Sequence, residues 1–410
     1  MVQKNKLFLV DEGSISTYDD LIKDLNKLNK LPVIINDRSA YKIFLHLLAS
    51  IIYDFPVTII DSDFSDNEVK ALGFSENDLK GYFNIEHAVK VNELNIFDSF
   101  DNTNNWKLTI FTSGTSGVPK KVSHNLSSLI RMVKVDAKRF NNIWGFAFNP
   151  THIAGLQVFF QAVMNWNSIV NLFGKSRKRI YQLVEKYDIT NISATPTFYR
   201  LLLPYENEFK SVVRLSCGGE RFDQRLTLKL QSIFPNAQIL NIYASTEAGT
   251  LFAAKGDLFE LKPDLKGLVK IDNNELLIHK AYLGKSDIFI FEGDFYRTGD
   301  IVDVIKKNPL TFRFINRKNE MINVGGYKVD PLEVEEILNS HPFIIGSRVY
   351  GKKNSVLGNI LIADVKLKDK ISEKELINFL SDKIQMHKVP RIYNFVDEIS
   401  VTRTGKIKRL

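Results

Sequence analysis

Cysteine is almost missing from this chain. Cys217 is the only one in 410 residues, so no internal disulfide can form and a reducing cytoplasm is the expected location. Long apolar runs are missing too. The richest window, residues 43–60, is interrupted by His46 and Asp54 and falls short of a membrane-spanning segment. The N-terminus offers only a short apolar run at residues 7–10, too little for a signal peptide, which argues against export. Nor is there a block of one charge sign: 55 Lys and Arg are interleaved with 47 Asp and Glu for a net charge of +8, with no basic tract set among aromatic residues. Nucleic acid is therefore not an expected partner, and the surplus reads as a solvated basic surface that steers small anions. Repeats and low-complexity segments are absent. What is present, 44% hydrophobic and 25% charged residues, is ordinary for a globular chain, and the length predicts two or three domains.

The most informative stretch is residues 109–121, TIFTSGTSGVPKK. Thr109, Ile110 and Phe111 read as the end of a strand, after which the chain turns polar and glycine-rich. Gly114 and Gly117 let backbone NH groups approach an anion, Thr112, Ser113, Thr115 and Ser116 add hydroxyl donors, and Lys120 adds a point charge. Such a loop suits a polyphosphate. It is not a P-loop of the Walker type, because Val118 and Pro119 separate the second glycine from the lysine and no Ser or Thr follows Lys120.

Apolar periodicity places strands at residues 7–10, 33–36 and 57–61, with a helix over 41–53 between the last two, a βαβ unit. A helix is expected to start near Ser16 or Thr17. Residues 62–106 are polar and charge-mixed and point to no chemistry. Further on, the pattern predicts a helix over 126–140, then strand, turn and helix across 146–164, helices flanking a buried strand across 180–203, and a strand in 212–222 ending at a double glycine. A β-hairpin turning at Asn273-Asn274 follows, and the C-terminal part reads as two strands, a helix over 372–386 and a strand near 391–396.

TSGTSGVPK resembles the phosphate-binding loop of the adenylate-forming (ANL) superfamily, which holds acyl- and aryl-CoA synthetases, peptide-synthetase adenylation domains and firefly luciferase. Other motifs of that superfamily follow in order. Pro150-Thr151-His152-Ile153-Ala154-Gly155 resembles its P-x-x-H-x-x-G segment, with Pro150 one residue nearer the histidine; the resemblance implies an acyl pocket lined by His152, Ile153, Gly155 and Cys217. Amino-acid-activating members carry an aspartate where this chain has Ile153. A buried ammonium without a carboxylate is costly, so an acid lacking the α-amine is expected. Gly218, Gly219 and Glu220 match the G-G-E that lies against adenine. NIYASTE resembles N-x-Y-G-x-T-E with Ala244 for glycine, which implies Tyr243 stacked on adenine, Thr246 on phosphate and Glu247 on magnesium. Thr298-Gly299-Asp300 resembles the superfamily's T-G-D, which implies Asp300 on the ribose hydroxyls.

Residues 312–338 are similar to the segment that joins the large N-terminal domain to the small C-terminal one. There the resemblance implies that Arg317 contacts ribose or phosphate, that Asn319 takes the hinge position, and that Gly325 and Gly326 border the tunnel for the pantetheine thiol. The terminal SVTRTGKIKRL resembles P-x-T-x-x-G-K-x-x-R, with Ser400 for the proline and Lys406 at the catalytic lysine. Four residues later the chain stops, and no fused carrier domain is expected. The N-terminal side looks shorter than is usual for the superfamily.

The implied fold is a multidomain α/β protein: residues 1–316 an AMP-binding domain with βαβ-type sheets and a small β-barrel-like part, and residues 317–410 a small mobile α+β lid. The implied reaction is ATP- and Mg²⁺-dependent activation of a carboxylic acid to acyl-AMP, then transfer to a thiol, most simply CoA. Alternatives are an adenylating enzyme that loads the phosphopantetheine of a separate carrier protein, and a degenerate nucleotide- or acyl-binding protein. The substitutions at Ser116, Lys121, Ala244, Asn316 and Asn319 bear on the last of these. Lys406, Thr246, Glu247 and His152 are the residues on which catalysis is expected to rest.

Overall fold

The computed structural model describes residues 5–85, 90–112, 120–203, 207–220, 224–324, 327–354, 358–401 and 407. Its centre is an eight-stranded sheet in the order Gly249–Ala254, Gln238–Ser245, Arg214–Gly218, Asn191–Ala194, Ile143–Phe146, Ser168–Asn171, Leu7–Asp11, Ser14–Thr17. The six interior strands run parallel and the outer one on each side is antiparallel. Parallel strands need helical crossovers on both faces, and these are Ile153–Val163 on one face and Arg177–Lys186, Pro196–Leu201 and Gln224–Ile233 on the other. Side chains alternate accordingly. Ile192, Leu215 and Cys217 bury against the second set of helices, whereas Trp144 and Phe146 pack with Leu156, Phe159 and Phe160 of Ile153–Val163.

A second sheet, Ile34–Ile35, Val57–Ile59, Leu108–Thr112 and Lys120–His124, includes the expected βαβ unit with its parallel strands and the helix Ala40–Ile52 between them. Ser39 caps that helix through Lys42 N. Its Phe44 is fully buried, stacks on Phe159 at 4.3 Å between ring centroids and meets Phe146 edge-on at 5.6 Å. One aromatic thus ties the N-terminal layer to the helix that follows His152. The strands Leu108–Thr112 and Lys120–His124 pair antiparallel, with Thr112 opposite Lys120; Ser113, Gly114, Thr115, Ser116 and Gly117 lie outside the described residues.

Two expectations are corrected. The helix expected over 126–140 stops at Leu126–Ile130, and only the short turn Ala137–Arg139 follows. Side chains from the neighbouring helix take the backbone groups that an extension would use: Gln161 accepts from Lys134 N and donates to Lys134 O, and Asn165 accepts from Asp136 N and donates to Lys134 O. Similarly, the helix expected over 372–386 is Glu373–Ser381, with a separate turn at Met386–Lys388. Residues 62–106, silent for chemistry, fold into the helices Asp66–Ala71, Glu76–Leu79 and Glu93–Asp101, each opened by a reciprocal capping box at Ser65, Ser75 and Asn92.

The part expected to be barrel-like is an antiparallel sheet of six strands, Phe259–Glu260, Leu310–Arg317, Phe295–Lys307, Glu275–His279 and Val269–Asp272, with Phe291–Glu292 beside Phe295–Lys307. Among the described residues its ends do not pair, so no barrel closes. The expected hairpin is present, with Asn273 at φ 49° and Asn274 at φ 61°, the left-handed pair a two-residue turn requires. From Val324 onward the chain buries a core of its own beneath the helices Pro331–Leu338 and Glu373–Ser381 and the three-stranded sheet Ile344–Asn354, Gly358–Leu367, Ile392–Phe395, an α+β arrangement as expected. Among the described residues no helix is long and apolar enough to cross a membrane.

Removing the Phe44 ring leaves a void between Phe146 and Phe159 that neither sheet can close. Phe44→Ala is expected to destabilise the fold by about 3–5 kcal/mol, read as a lowered urea midpoint by tryptophan fluorescence.

Candidate functional site

A cleft of about 1850 Å³ opens where the parallel strands end, bounded by the helix Ile153–Val163, the antiparallel sheet and the C-terminal part. The carboxyl ends of parallel strands are where open α/β sheets bind ligands, because backbone NH groups and loop side chains converge there. Lys120, His152, Ile153, Gly218, Gly219 and Glu220 line this cleft, as do Tyr243, Thr246, Glu247, Asp300 and Arg317. Segments far apart in the chain are thereby brought to one place.

Tyr243, Asp300 and Arg317 form a connected group. The tyrosine hydroxyl donates to Asp300 Oδ2 at 2.5 Å and Arg317 Nε donates to Asp300 Oδ1 at 2.9 Å. The Tyr243 ring stacks on Phe314 at 4.1 Å between centroids with 9° between planes. Burial and then Asp300 push the Tyr243 hydroxyl far above its usual pKa, so it remains a donor at neutral pH. For Arg317, burial works against the charge, but Asp300 and neighbouring acidic groups outweigh it and the guanidinium is held. The T-G-D turn is itself anchored. Gly299 has φ +78°, its NH donates to buried Glu275 at 2.9 Å, and Asp300 N donates to Thr298 Oγ1 at 3.0 Å.

Thr246 and Glu247 are aimed by their backbone carbonyls, which are pinned away from the cleft. His124 Nε2 donates to Thr246 O at 2.7 Å, and Gly284 N donates to Glu247 O at 2.7 Å. His124 is 2% exposed and burial lowers its pKa, so the ring is neutral with its proton on Nε2 and Nδ1 facing Ser128 Oγ at 3.2 Å. The close approach of Gly284 explains its identity: a Cβ there would stand 2.7 Å from His124 Cε1 and Val122 Cγ1. His124 is a residue that the sequence reading missed. Among the described residues no three His, Cys, Asp or Glu side chains converge as a metal cage. A lone Glu247 suits a divalent ion that takes its remaining ligands from phosphate oxygens and water, which is magnesium chemistry.

At the other wall, His152 precedes the helix Ile153–Val163 and its Nε2 lies 3.3 Å from Asp61 Oδ2, within ion-pair range but out of line for a hydrogen bond. Asn149 Nδ2 donates to the same Asp61 oxygen at 2.9 Å, and Asn149 Oδ1 accepts from Thr151 N and Thr151 Oγ1. Asp61 and Asn149 were not singled out from sequence; the available signal was an aspartate ending the buried strand VTIID. Two residues expected in the acyl pocket do not line the cleft. Gly155 is a packing glycine, since a Cβ there would collide with Asn149 O. Cys217 is fully buried on the opposite sheet face, one position out of step with Ser216 and Gly218.

Glu220, expected beside adenine, is occupied otherwise. Its carboxylate accepts from Thr197 N at 2.9 Å and Thr197 Oγ1 at 2.7 Å, and from Ile407 N at 3.1 Å. It therefore fastens the residue next to Lys406 at the edge of the cleft. Lys406, Gly325 and Gly326 lie outside the described residues. Thr112 ends its strand opposite Lys120, and Asn319 falls in the short turn Lys318–Glu320 directly after Arg317.

Burial pushes the Cys217 thiol up to about 12. At pH 8 only on the order of 10⁻⁴ of it is thiolate, so iodoacetamide is expected to modify the native protein at least about 100-fold more slowly than the urea-unfolded chain. Rapid native labelling, followed by mass spectrometry, would return Cys217 to the pocket wall.

Residues 65–277 match the AMP-binding enzyme family and residues 333–406 match the AMP-binding enzyme C-terminal domain. A 2-succinylbenzoate–CoA ligase of Staphylococcus aureus strain MSSA476 is 25% identical over 381 residues, covering 86% of this chain and 76% of that one. In fold, the chain is similar to o-succinylbenzoate CoA synthetase (MenE) from Bacillus subtilis in complex with the acyl-adenylate intermediate OSB-AMP, with TM-score 0.70 and 17% identity over 99% of this chain and 95% of that one. It is likewise similar to ATP-bound MatB from Rhodopseudomonas palustris, with TM-score 0.73 and 15% identity over 99% and 95%. With a family model spanning more than half its length and the C-terminal model following in order, the chain belongs to the AMP-binding enzyme family, within the adenylate-forming superfamily.

Proposed function

We propose that this protein is an ATP-dependent acid–thiol ligase that makes an acyl-AMP and passes the acyl group to CoA. The observation that carries the reading is the convergence of Tyr243–Asp300–Arg317, Thr246–Glu247 and Lys120 on one cleft, with Ile407 fastened beside it by Glu220. The CoA ligases among its relatives support CoA as the acceptor. A carrier-protein pantetheine is the other acceptor of the same chemistry.

A carboxylate is a poor electrophile because it is anionic and its oxide is a bad leaving group. In the first step a carboxylate oxygen attacks the α-phosphorus of ATP, an O–P bond forms, and pyrophosphate leaves. Both partners are negative, so alignment and cations matter more than proton transfer. Asp300 and Arg317 hold the ribose, Tyr243 presents its face to adenine, and Thr246 donates to phosphate. Lys120 and the loop from Thr112 through Ser113, Gly114, Thr115, Ser116 and Gly117 position the outer phosphates. Magnesium, held by Glu247, offsets phosphate charge when bound. Lys406 bridges the acyl carboxylate and the nucleotide. In the second step the thiol sulfur attacks the acyl carbon, the C–O bond to phosphate breaks, and AMP leaves.

Residues 317–410 act in this proposal as a lid that turns at Asn319, withdrawing Lys406 and bringing Gly325 and Gly326 to the thiol path. Gly218, Gly219 and Glu220 edge the nucleotide side, and His152 and Ile153 border the acyl group.

Acid-dependent exchange of labelled pyrophosphate into ATP is the direct assay of the first step. Lys406→Ala is expected to lower it by roughly 10²–10³-fold, and Glu247→Gln to do likewise while raising the Mg²⁺ concentration needed for half-maximal rate. Exchange that survives in both variants would refute these assignments. Thioester formation measured with free CoA and with a pantetheinylated carrier protein decides the acceptor.

A further inference from the structure

The cleft continues past the nucleotide end as a channel along one sheet face. Arg214, Ser216 and Gly218, alternate residues of the strand Arg214–Gly218, all line it. Ser193 stands beside Ser216 in register, and Ser216 Oγ donates to Ser193 Oγ at 2.8 Å. The opposite wall is one face of the helix Ile153–Val163, presenting Ile153, Gln157, Val158 and Gln161. From Gly218 to Arg214 the strand advances roughly 13 Å, so the channel is long enough for an extended acid.

At its far end stand two guanidinium groups, Arg214 and Arg139, both half-buried and both lining the cleft. They come from different elements, Arg139 from the turn Ala137–Arg139 that replaces the expected helix. Among the described residues neither side chain forms an ion pair or a hydrogen bond, and Arg139 Nε is buried without any partner. Burial, and then the charge of Arg139, lowers the proton affinity of Arg214. Two half-buried like charges lining one channel, with no carboxylate paired to either among the described residues, are costly, and the hydroxyls and amides that line the channel do not offset them. An anionic group on a ligand does, and paired guanidinium groups match the planar, bidentate geometry of a carboxylate.

We infer that Arg139 and Arg214 bind a second carboxylate of the substrate, so that the acid activated at the nucleotide end is a dicarboxylic acid whose two carboxylates lie on the order of 10 Å apart. The inference rests on the reading of the cleft as an acid-activating site. It excludes simple fatty acids and monocarboxylic aromatic acids as preferred substrates.

The test is pyrophosphate exchange with dicarboxylic acids spanning that distance, each against the monocarboxylic acid of equal length. CoA is left out, so that any effect belongs to the acid and not to a phosphate of the acceptor. The wild-type enzyme is expected to favour the diacid by at least about tenfold in kcat/KM, through KM. Arg214→Gln and, separately, Arg139→Gln are expected to lower the ratio of diacid to monoacid kcat/KM by roughly 10- to 100-fold. A general loss of fold lowers both rates and leaves that ratio alone. A wild-type preference for monoacids, or a ratio unmoved in both variants, would overturn the inference while leaving the adenylation reading intact. If no acid supports exchange, the adenylation reading fails, and calorimetric titration of the same diacids decides the anion site separately. Saturable binding that Arg214→Gln weakens supports it, and absence of binding to wild type overturns it.

Discussion

The helix Ile153–Val163 is the member on which the arrangement depends, because burial of its apolar side fixes both walls of the cleft. Leu156, Phe159 and Phe160 are fully buried against the sheet and against Phe44. Each such side chain contributes roughly 1.5–3 kcal/mol by leaving water, far more than any exposed polar contact in the site. With the apolar side committed, the flank carrying Ile153, Gln157 and Gln161 is left facing the sheet across an open channel. Hydrophobic packing thus sets the position, and the polar residues inherit it.

Electrostatics is divided along this channel. At the end proposed for the nucleotide, Asp300 accepts from Tyr243 on one oxygen and from Arg317 on the other, which fixes its orientation and leaves a lone pair on each oxygen for further donors. The carbonyls of Thr246 and Glu247 are held by His124 and Gly284, and both residues line the cleft, where phosphate and metal are their proposed partners. At the far end, among the described residues, neither Arg139 nor Arg214 has such a side-chain partner, and Arg139 Nε is buried without a hydrogen bond. At one end the cation is paired with a carboxylate of the protein, and at the other the cations call for a carboxylate from a ligand.

Much of this was legible in the sequence. YASTE and T-G-D are local strings, and Tyr243, Thr246, Glu247, Asp300 and Arg317 do meet in one cleft; residues 113–119 and 402–406, which carry the loop and terminal-lysine motifs, lie outside the described residues. Turn chemistry was legible for the same reason: Asn273-Asn274 makes the hairpin it predicts. The capping boxes at Ser65, Ser75 and Asn92 are equally local signals, since S-x-x-E and its kin mark helix starts. Cys217 was misplaced by neglecting the two-residue period of a strand, which turns it away from the pocket that Ser216 and Gly218 face.

The main strands and helices, the phosphate-loop candidate and the cleft residues proposed for the nucleotide follow from the chain itself, because propensity, periodicity and short motifs act over a few residues. The role of Glu220, the support of Thr246 by His124, the pairing of Asp61 with His152 and the meeting of Arg139 with Arg214 required the folded molecule. Each joins segments distant in sequence, and none is encoded by spacing. The shortened helix at Leu126–Ile130 has the same cause: hydrogen bonds with Gln161 and Asn165 outweigh local helix propensity and leave Arg139 in a turn that lines the far end of the channel. Tertiary partners decide such positions because a backbone group satisfied by a distant side chain no longer needs its own helix.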